Sequence, residues 1–202
     1  MTTLTLYTNP RSRGRIARWM LEELGNPYDV VLLDYATTMK APDYLAINPM
    51  GKVPALTHGD KVVTEGAAIC TYLADAFPAA GLMPEDRASF FRWMFFGAGP
   101  LEQAIINHAF GFEVPEGREA TVGYGTFEKV VGTLAAHLAS TPYICGDRFS
   151  AADVYTGSQV GYGLQFGTLP ERPEFAAYWN SVKDHPARLA AEAADNSLIP
   201  KE

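Results

Sequence analysis

Residues 1–80 alternate between strand and helix patterns so quickly that few folds can accommodate them. Residues 3–7 (TLTLY) read as a short strand. The loop Thr8-Asn9-Pro10-Arg11 follows, and Ser12 is placed to cap a helix over residues 12–24. Ile16, Ala17, Met20, Leu21 and Leu24 share one face of that helix, and Gly25 supplies the stop. Residues 28–33 read as a second strand, and residues 41–47 as a loosely structured stretch. Residues 53–64 (VPALTHGDKVVT) read as a hairpin, with Gly59-Asp60 as the tight turn between two apolar runs. Glu65-Gly66 then opens a helix whose apolar positions are Ala68, Ile69, Tyr72, Leu73 and Ala76. The resulting order is β-α-β-(α)-β-β-α, and one sheet covered by three helices can bury both its faces.

The pattern changes at Phe77-Pro78. The stretch PAAGLMPED (78–86) reads as a linker, and beyond it no convincing strand follows. Helices are expected over 87–109, with Phe91, Met94, Phe95 and Ala98 on one side, and over 117–139. Ser150-Ala151-Ala152-Asp153 is a capping-box-like start for a third, with Asp in place of Glu at the N3 position. Two shorter helices cover 173–184 and 186–195. The expected division is an α/β domain (1–77), a linker (78–86) and an all-α domain (87–202). At 48% hydrophobic and 19% charged residues, the chain can bury a sizeable core and does not have the composition of a disordered one.

The formal charge of −7 disfavours nucleic acid as the main partner, because phosphate binding needs a basic face. A local basic pocket is still possible where Arg11, Arg13, Arg15 and Arg18 cluster. No apolar run approaches the roughly 20 residues that span a bilayer. The first residues read as a strand, so neither a signal peptide nor a membrane anchor is expected, and a cytoplasmic location is. Cys70 and Cys145 lie far apart, without a CxxC or zinc-type spacing, and read as small buried thiols. His58, His108, His137 and His185 show no ligand spacing, and no metal is expected.

Asn48-Pro49-Met50-Gly51-Lys52-Val53-Pro54-Ala55-Leu56, followed nine residues later by Glu65-Gly66-Ala67-Ala68-Ile69, resembles the soluble glutathione transferase family. The segment LYTNPRSRGRIARWMLEELG (6–25) looks like the first strand and helix of its bacterial members. The run Gly146-Asp147-Arg148-Phe149-Ser150-Ala151-Ala152-Asp153-Val154 looks like the capped core helix of its second domain. The resemblance implies a thioredoxin-like α/β N-terminal domain joined to an all-helical C-terminal domain. It also implies glutathione as co-substrate, a small electrophile as second substrate, and a homodimer.

Each end of the tripeptide then finds a candidate partner. Val53-Pro54 sits where a thioredoxin-like fold usually has a cis-proline; the backbone N–H and C=O of Val53 could pair with the cysteinyl main chain as with an added strand. An ordinary turn proline is the simpler alternative. The N–H groups of Gly66 and Ala67 at a helix N-terminus could hold the γ-glutamyl carboxylate, and Glu65 the ammonium. The family usually has Ser or Thr where Gly66 stands, so one side-chain hydrogen bond, about 0.5–1.5 kcal/mol, is missing. Lys40 and Lys52 match lysines that neutralise the glycine carboxylate in some plant-type members, and read otherwise as solvated lysines.

Transfer needs a thiolate, and a free thiol with a pKa near 8.5 is only a few per cent ionised at neutral pH. Ser12, at the expected start of the first helix, looks like the serine of the serine-type classes; its alternative role is a helix cap. Tyr7, at the end of the first strand, stands where the tyrosine-type classes place theirs. Asn9 and Arg11 are further polarising groups. No cysteine lies in this loop, which disfavours a mixed-disulfide mechanism. Trp93, Phe96, Phe110, Phe112, Tyr124, Tyr162 and Phe166 are available to a pocket for the electrophile or to the core. Glycines 157, 161, 163 and 167 leave room for a bend or a close approach. The expected activity is conjugation of glutathione to small, partly apolar electrophiles. The rivals are a glutathione-dependent peroxidase or isomerase, and a non-catalytic binding or interaction protein of the same fold.

Overall fold

The computed structural model describes residues 3–200. The outermost residues of the two expected domains, 1–2 and 201–202, lie outside the described residues. The chain forms two units: one runs to Ala80 and takes up the chain again from His185, and the other is Gly81–Asp184.

In the first unit, β1 (Leu4–Thr8), β2 (Tyr28–Leu32), β3 (Ala55–His58) and β4 (Lys61–Thr64) form one sheet in the order β2-β1-β3-β4. The β1/β2 pair is parallel and the other two pairs are antiparallel. Along β1 burial alternates, with Leu4, Leu6 and Thr8 buried on one face and Tyr7 half-buried on the other. Helices α1 (Gly14–Leu24) and α3 (Gly66–Ala76) pack against each other and on this sheet. Gly25 closes α1 in the left-handed conformation at φ 65°, its N–H donating to the Glu22 carbonyl. The stretch expected to be loose holds a 3-10 turn (Thr38–Lys40) and a short helix, α2 (Pro42–Leu45). Pro42 opens α2 because proline has no N–H to leave unsatisfied there.

The second unit is helical: α4 (Arg87–Phe96), α5 (Glu102–Ala109), α6 (Phe127–Leu138), α7 (Ala151–Gln165) and α8 (Pro173–Val182). Residues 87–109 do not form the one regular helix that the periodicity predicts. A π turn, Gly97–Leu101, separates α4 from α5 around Pro100, whose missing N–H cannot serve an α-helical ladder. Helix α6 begins ten residues later than expected. Gly117 and Gly125 adopt φ 76° and 71°, which an α-helix cannot contain, and the Thr126 hydroxyl caps the true start by accepting from the Lys129 N–H. The capping box at Ser150 and Asp153 forms as read.

The glycines of α7 meet protein rather than a ligand. A Cβ on Gly157, Gly161 or Gly163 would stand within 2.4–2.5 Å of Tyr178, Trp179 or Leu169. They allow α8 and the turn before it to pack directly on the α7 backbone.

The last helix, α9 (Pro186–Ser197), belongs with the first unit and packs on α1. Sequence reading places it in the helical domain instead. The contact with α1 includes Arg18, which is buried and needs an anion. Asp195 of α9, also buried, meets its Nε at 2.8 Å.

Candidate functional site

The strand register gathers the predicted residues. Tyr7 of β1 pairs with Ala55 of β3, and Ala55 pairs with Thr64 of β4. These three form a row across the sheet. Because β3 runs antiparallel to both neighbours, the residues just beyond the row all emerge at one end: Thr8 and its loop, Pro54, and Glu65. Under that end lies an apolar cluster of Leu33, Met39, Tyr44 and Ala55, against which Tyr7, Ile47 and Val53 pack.

The loop after β1 is tightly tied. Asn9 donates its side-chain amide to the Leu33 carbonyl at 2.8 Å and accepts the Arg11 N–H at 2.9 Å. Its polar groups therefore hold the turn. The Ser12 hydroxyl donates to the Asn9 carbonyl (2.7 Å) and its oxygen accepts the Gly14 N–H (2.9 Å). Ser12 thus satisfies one of the orphan N–H groups of α1 from just before the helix. Arg11 is exposed, and its carbonyl accepts from the Tyr35 hydroxyl at 3.4 Å. Tyr7 packs its ring 5.7 Å from that of Tyr44. Gly14 escapes sequence reading: a Cβ there would fall 1.9 Å from Thr8 Oγ1, so only glycine lets α1 start this close to β1.

The Val53-Pro54 bond is cis, as the thioredoxin-like pattern predicts. Among the described residues, neither the N–H nor the C=O of Val53 has a backbone partner. The preceding carbonyl, of Lys52, is held twice, by the Tyr44 hydroxyl and by Asn48 Nδ2 at 2.8 Å. Asn48 is buried, and its Oδ1 takes the Met50 N–H at 3.1 Å. Asn48, inside the motif, and Tyr44, four residues before it, are supports that the sequence reading does not single out. Lys52 is exposed, while Lys40 Nζ donates to the Gly51 carbonyl at 2.6 Å. Lys40 therefore stiffens the turn into Lys52.

Glu65 precedes α3 and is exposed, with φ 67° and ψ 122°. It is the only non-glycine with positive φ among the described residues. Such a backbone costs of order 1–3 kcal/mol and persists at sites where geometry is required by something else. Its strain turns the chain so that the first N–H groups of α3, from Gly66 onward, end at the same edge as Pro54. No sequence pattern announces that conformation for a glutamate.

Neither cysteine is placed for thiol chemistry. Burial alone raises the wholly buried Cys70 thiol well above its ordinary range, and burial is the main cause pushing Cys145 to about 12. In the second unit, Trp93 is buried and stacks on His137 at 3.9 Å, with Phe96 edge-on to it. Tyr124 accepts a hydrogen bond from Asn107, and Tyr162 stacks with Phe166. Phe110, Phe112 and Phe166 are exposed. Among the described residues no helix is long and apolar enough to cross a membrane, and no three His, Cys, Asp or Glu side chains group as metal ligands.

Residues 2–75 match the family model described as glutathione S-transferase, N-terminal domain. Glutathione S-transferase 3 of Zea mays is 30% identical, aligned over 96% of this chain and 95% of its own. Glutathione S-transferase GstA of Escherichia coli O157:H7 is 31% identical over 95% and 98%. The structure of a sphingomonad glutathione S-transferase complexed with glutathione superposes with a TM-score of 0.76 at 28% identity, covering 95% of this chain and 98% of that one. With full-length relatives at this identity and a cis-proline and strained glutamate at one end of a four-stranded sheet, the chain belongs to the glutathione S-transferase family.

Proposed function

We propose that this protein uses Ser12 to activate the thiol of glutathione and transfers it to small, partly apolar electrophiles in the cytoplasm. The observation that carries the reading is the Tyr7–Ala55–Thr64 row, which sets the Ser12 turn, Val53-Pro54 and Glu65-Gly66 at one end of the sheet. Val53 takes the cysteinyl main chain, the first N–H groups of α3 take the γ-glutamyl carboxylate, and Glu65 takes the ammonium. Lys40 and Lys52 face the glycine carboxylate. The two free thiols are in keeping with a reducing compartment.

Activation follows from the loop. The Ser12 oxygen accepts from Gly14 N–H at the positive end of α1, which makes its own O–H a better donor. Turning that O–H from the Asn9 carbonyl to a thiolate exchanges a neutral hydrogen bond for a charge-assisted one, roughly twice as strong. The thiol proton leaves to solvent. The sulfur lone pair then forms the new bond to the electrophilic carbon as the leaving group departs with its electrons.

Calorimetry with glutathione and turnover of a chloronitrobenzene with glutathione test the reading together. Binding with turnover is expected. Binding without turnover leaves a binding protein, and no heat at millimolar glutathione removes the site itself. The protein is expected to be a homodimer, to which exposed Met50 (70%) and Val62 (49%) offer apolar surface; a light-scattering mass near 22.0 kDa refutes this.

Glu65→Gly separates strain from recognition. It is expected to raise stability by about 1 kcal/mol in urea unfolding, because glycine accepts φ 67° without cost. The same change weakens glutathione binding by roughly tenfold or more, through loss of a charged hydrogen bond. A variant that is more stable and binds equally well removes Glu65 from the site.

A further inference from the structure

We infer that the C-terminal helix positions the activating serine: Asp195 and Asn196 of α9, acting through Arg15, hold the first turn of α1 and with it Ser12. This rests on the reading of Ser12 given above.

Arg15 joins the two. Its backbone N–H donates to the Ser12 carbonyl at 3.3 Å. Its guanidinium donates from Nη2 to Asn196 Oδ1, and its Nε lies 3.8 Å from Asp195 Oδ2. The other oxygen of Asp195 takes Arg18 Nε at 2.8 Å. At the far end of α1, Glu23 receives Trp19 Nε1 at 2.6 Å and lies 2.7 Å from His185 Nδ1. Helix α9 therefore runs antiparallel to α1 and grips it at both ends.

The charge pattern says that Arg15 is not there for its helix. It stands in the first turn of α1, where the macrodipole disfavours a cation, and that turn carries no acidic residue of its own. The compensating carboxylate comes from Asp195, 180 positions further along the chain. With Asp195 meeting Arg15 and Arg18 together, the start of α1 keeps a fixed place without an anion of its own close to the Ser12 hydroxyl. Activation of the thiol depends on that place, since a 1 Å displacement of a reacting group can cost about 10²-fold in rate.

Arg15 is a suitable probe because its side chain is 25% exposed and its removal leaves the buried Arg18–Asp195 pair intact. The test compares Arg15→Met and Arg15→Lys with wild type in kcat, KM for glutathione, the pH profile of kcat/KM, and thermal midpoint. Arg15→Met is expected to lower kcat about tenfold with KM for glutathione little changed. It should also move the rising limb of the pH profile up by roughly one unit, as a less stabilised thiolate requires. Arg15→Lys should recover most of both, and the thermal midpoint should barely move. Wild-type kcat and pH profile in Arg15→Met overturn the inference. So does a loss confined to KM, or one that Lys does not restore and that follows the thermal midpoint. A wild-type protein that binds glutathione but turns nothing over overturns the transferase reading, and this inference with it.

Discussion

Ser12→Ala is expected to lower kcat/KM for glutathione conjugation by roughly 10²-fold at neutral pH, while glutathione still binds within a few-fold of wild type. Holding the thiol pKa about two units below its free value takes roughly 2.7 kcal/mol of differential stabilisation. Ser12 is the hydroxyl placed beside the start of α1 with its oxygen already polarised by Gly14 N–H. Removing it should shift the rising limb of the rate profile up by one to two units, roughly, with the plateau at high pH partly restored. The variant also leaves Gly14 N–H without its acceptor, at about 1 kcal/mol in stability, so a thermal midpoint belongs beside the kinetics. Tyr7 gives the contrast. Its ring is packed against Tyr44 and the apolar cluster, so Tyr7→Phe should keep most of the activity. Full activity in Ser12→Ala with loss in Tyr7→Phe would reverse the assignment.

Asp153→Ala should be the most damaging single change to the second unit. The Asp153 carboxylate is fully buried and accepts from Ile144 N–H (2.8 Å), Ser150 N–H (2.9 Å), the Ser150 hydroxyl (3.1 Å) and the Tyr178 hydroxyl (2.9 Å). Alanine strands these buried donors, at about 1–3 kcal/mol each where they find no other acceptor. A loss of about 3 kcal/mol or more is expected in chemical unfolding, a large share of ordinary domain stability. A loss below about 1 kcal/mol would show that water takes over the carboxylate's role. The same group sets a pH dependence. Burial pushes the Asp153 carboxyl up to about 6 from an ordinary value of 3.8, against the pull of its four donors. The folded chain therefore holds this proton more tightly than the unfolded one. The stabilisation is complete below the unfolded value and is lost as pH rises through about 6. Measured against Asp153→Asn, which does not titrate, wild-type stability should fall by roughly 2–3 kcal/mol between about pH 4 and pH 7. A constant gap would contradict the shift.

How much is legible in the sequence depends on how local the physics is. Gly59-Asp60 between two apolar runs, and Ser150 three residues before Asp153, act over a few residues, and both elements form where the pattern puts them. The helix expected from residue 117 does not, because its apolar spacing continues through glycines whose positive φ only the folded chain reveals. The π turn at Pro100 is hidden for a related reason: one proline inside a periodic stretch does not say whether the ladder breaks or merely widens. Arg18 looks like one more residue of a basic cluster. Its partner, Asp195, lies so far along the chain that no local pattern links them. Around the candidate site, the sequence carries the motif but not the constraints on its backbone. The motif names Lys52, Val53 and Glu65, but not that Tyr44 and Asn48 share the Lys52 carbonyl, nor that Glu65 carries a glycine-like backbone.

The placement of the two cysteines has a consequence under the proposed reaction with electrophiles. A reactive compound attacks whichever thiolate it meets, and the catalyst is the nearest bystander. Cys70 has no solvent contact, and the raised pKa of both sulfurs keeps them protonated at any physiological pH. In the proposed reaction the scaffold is thus shielded from alkylation by the electrophile, and the supply of reactive sulfur rests with a tripeptide that can be discarded after each turnover.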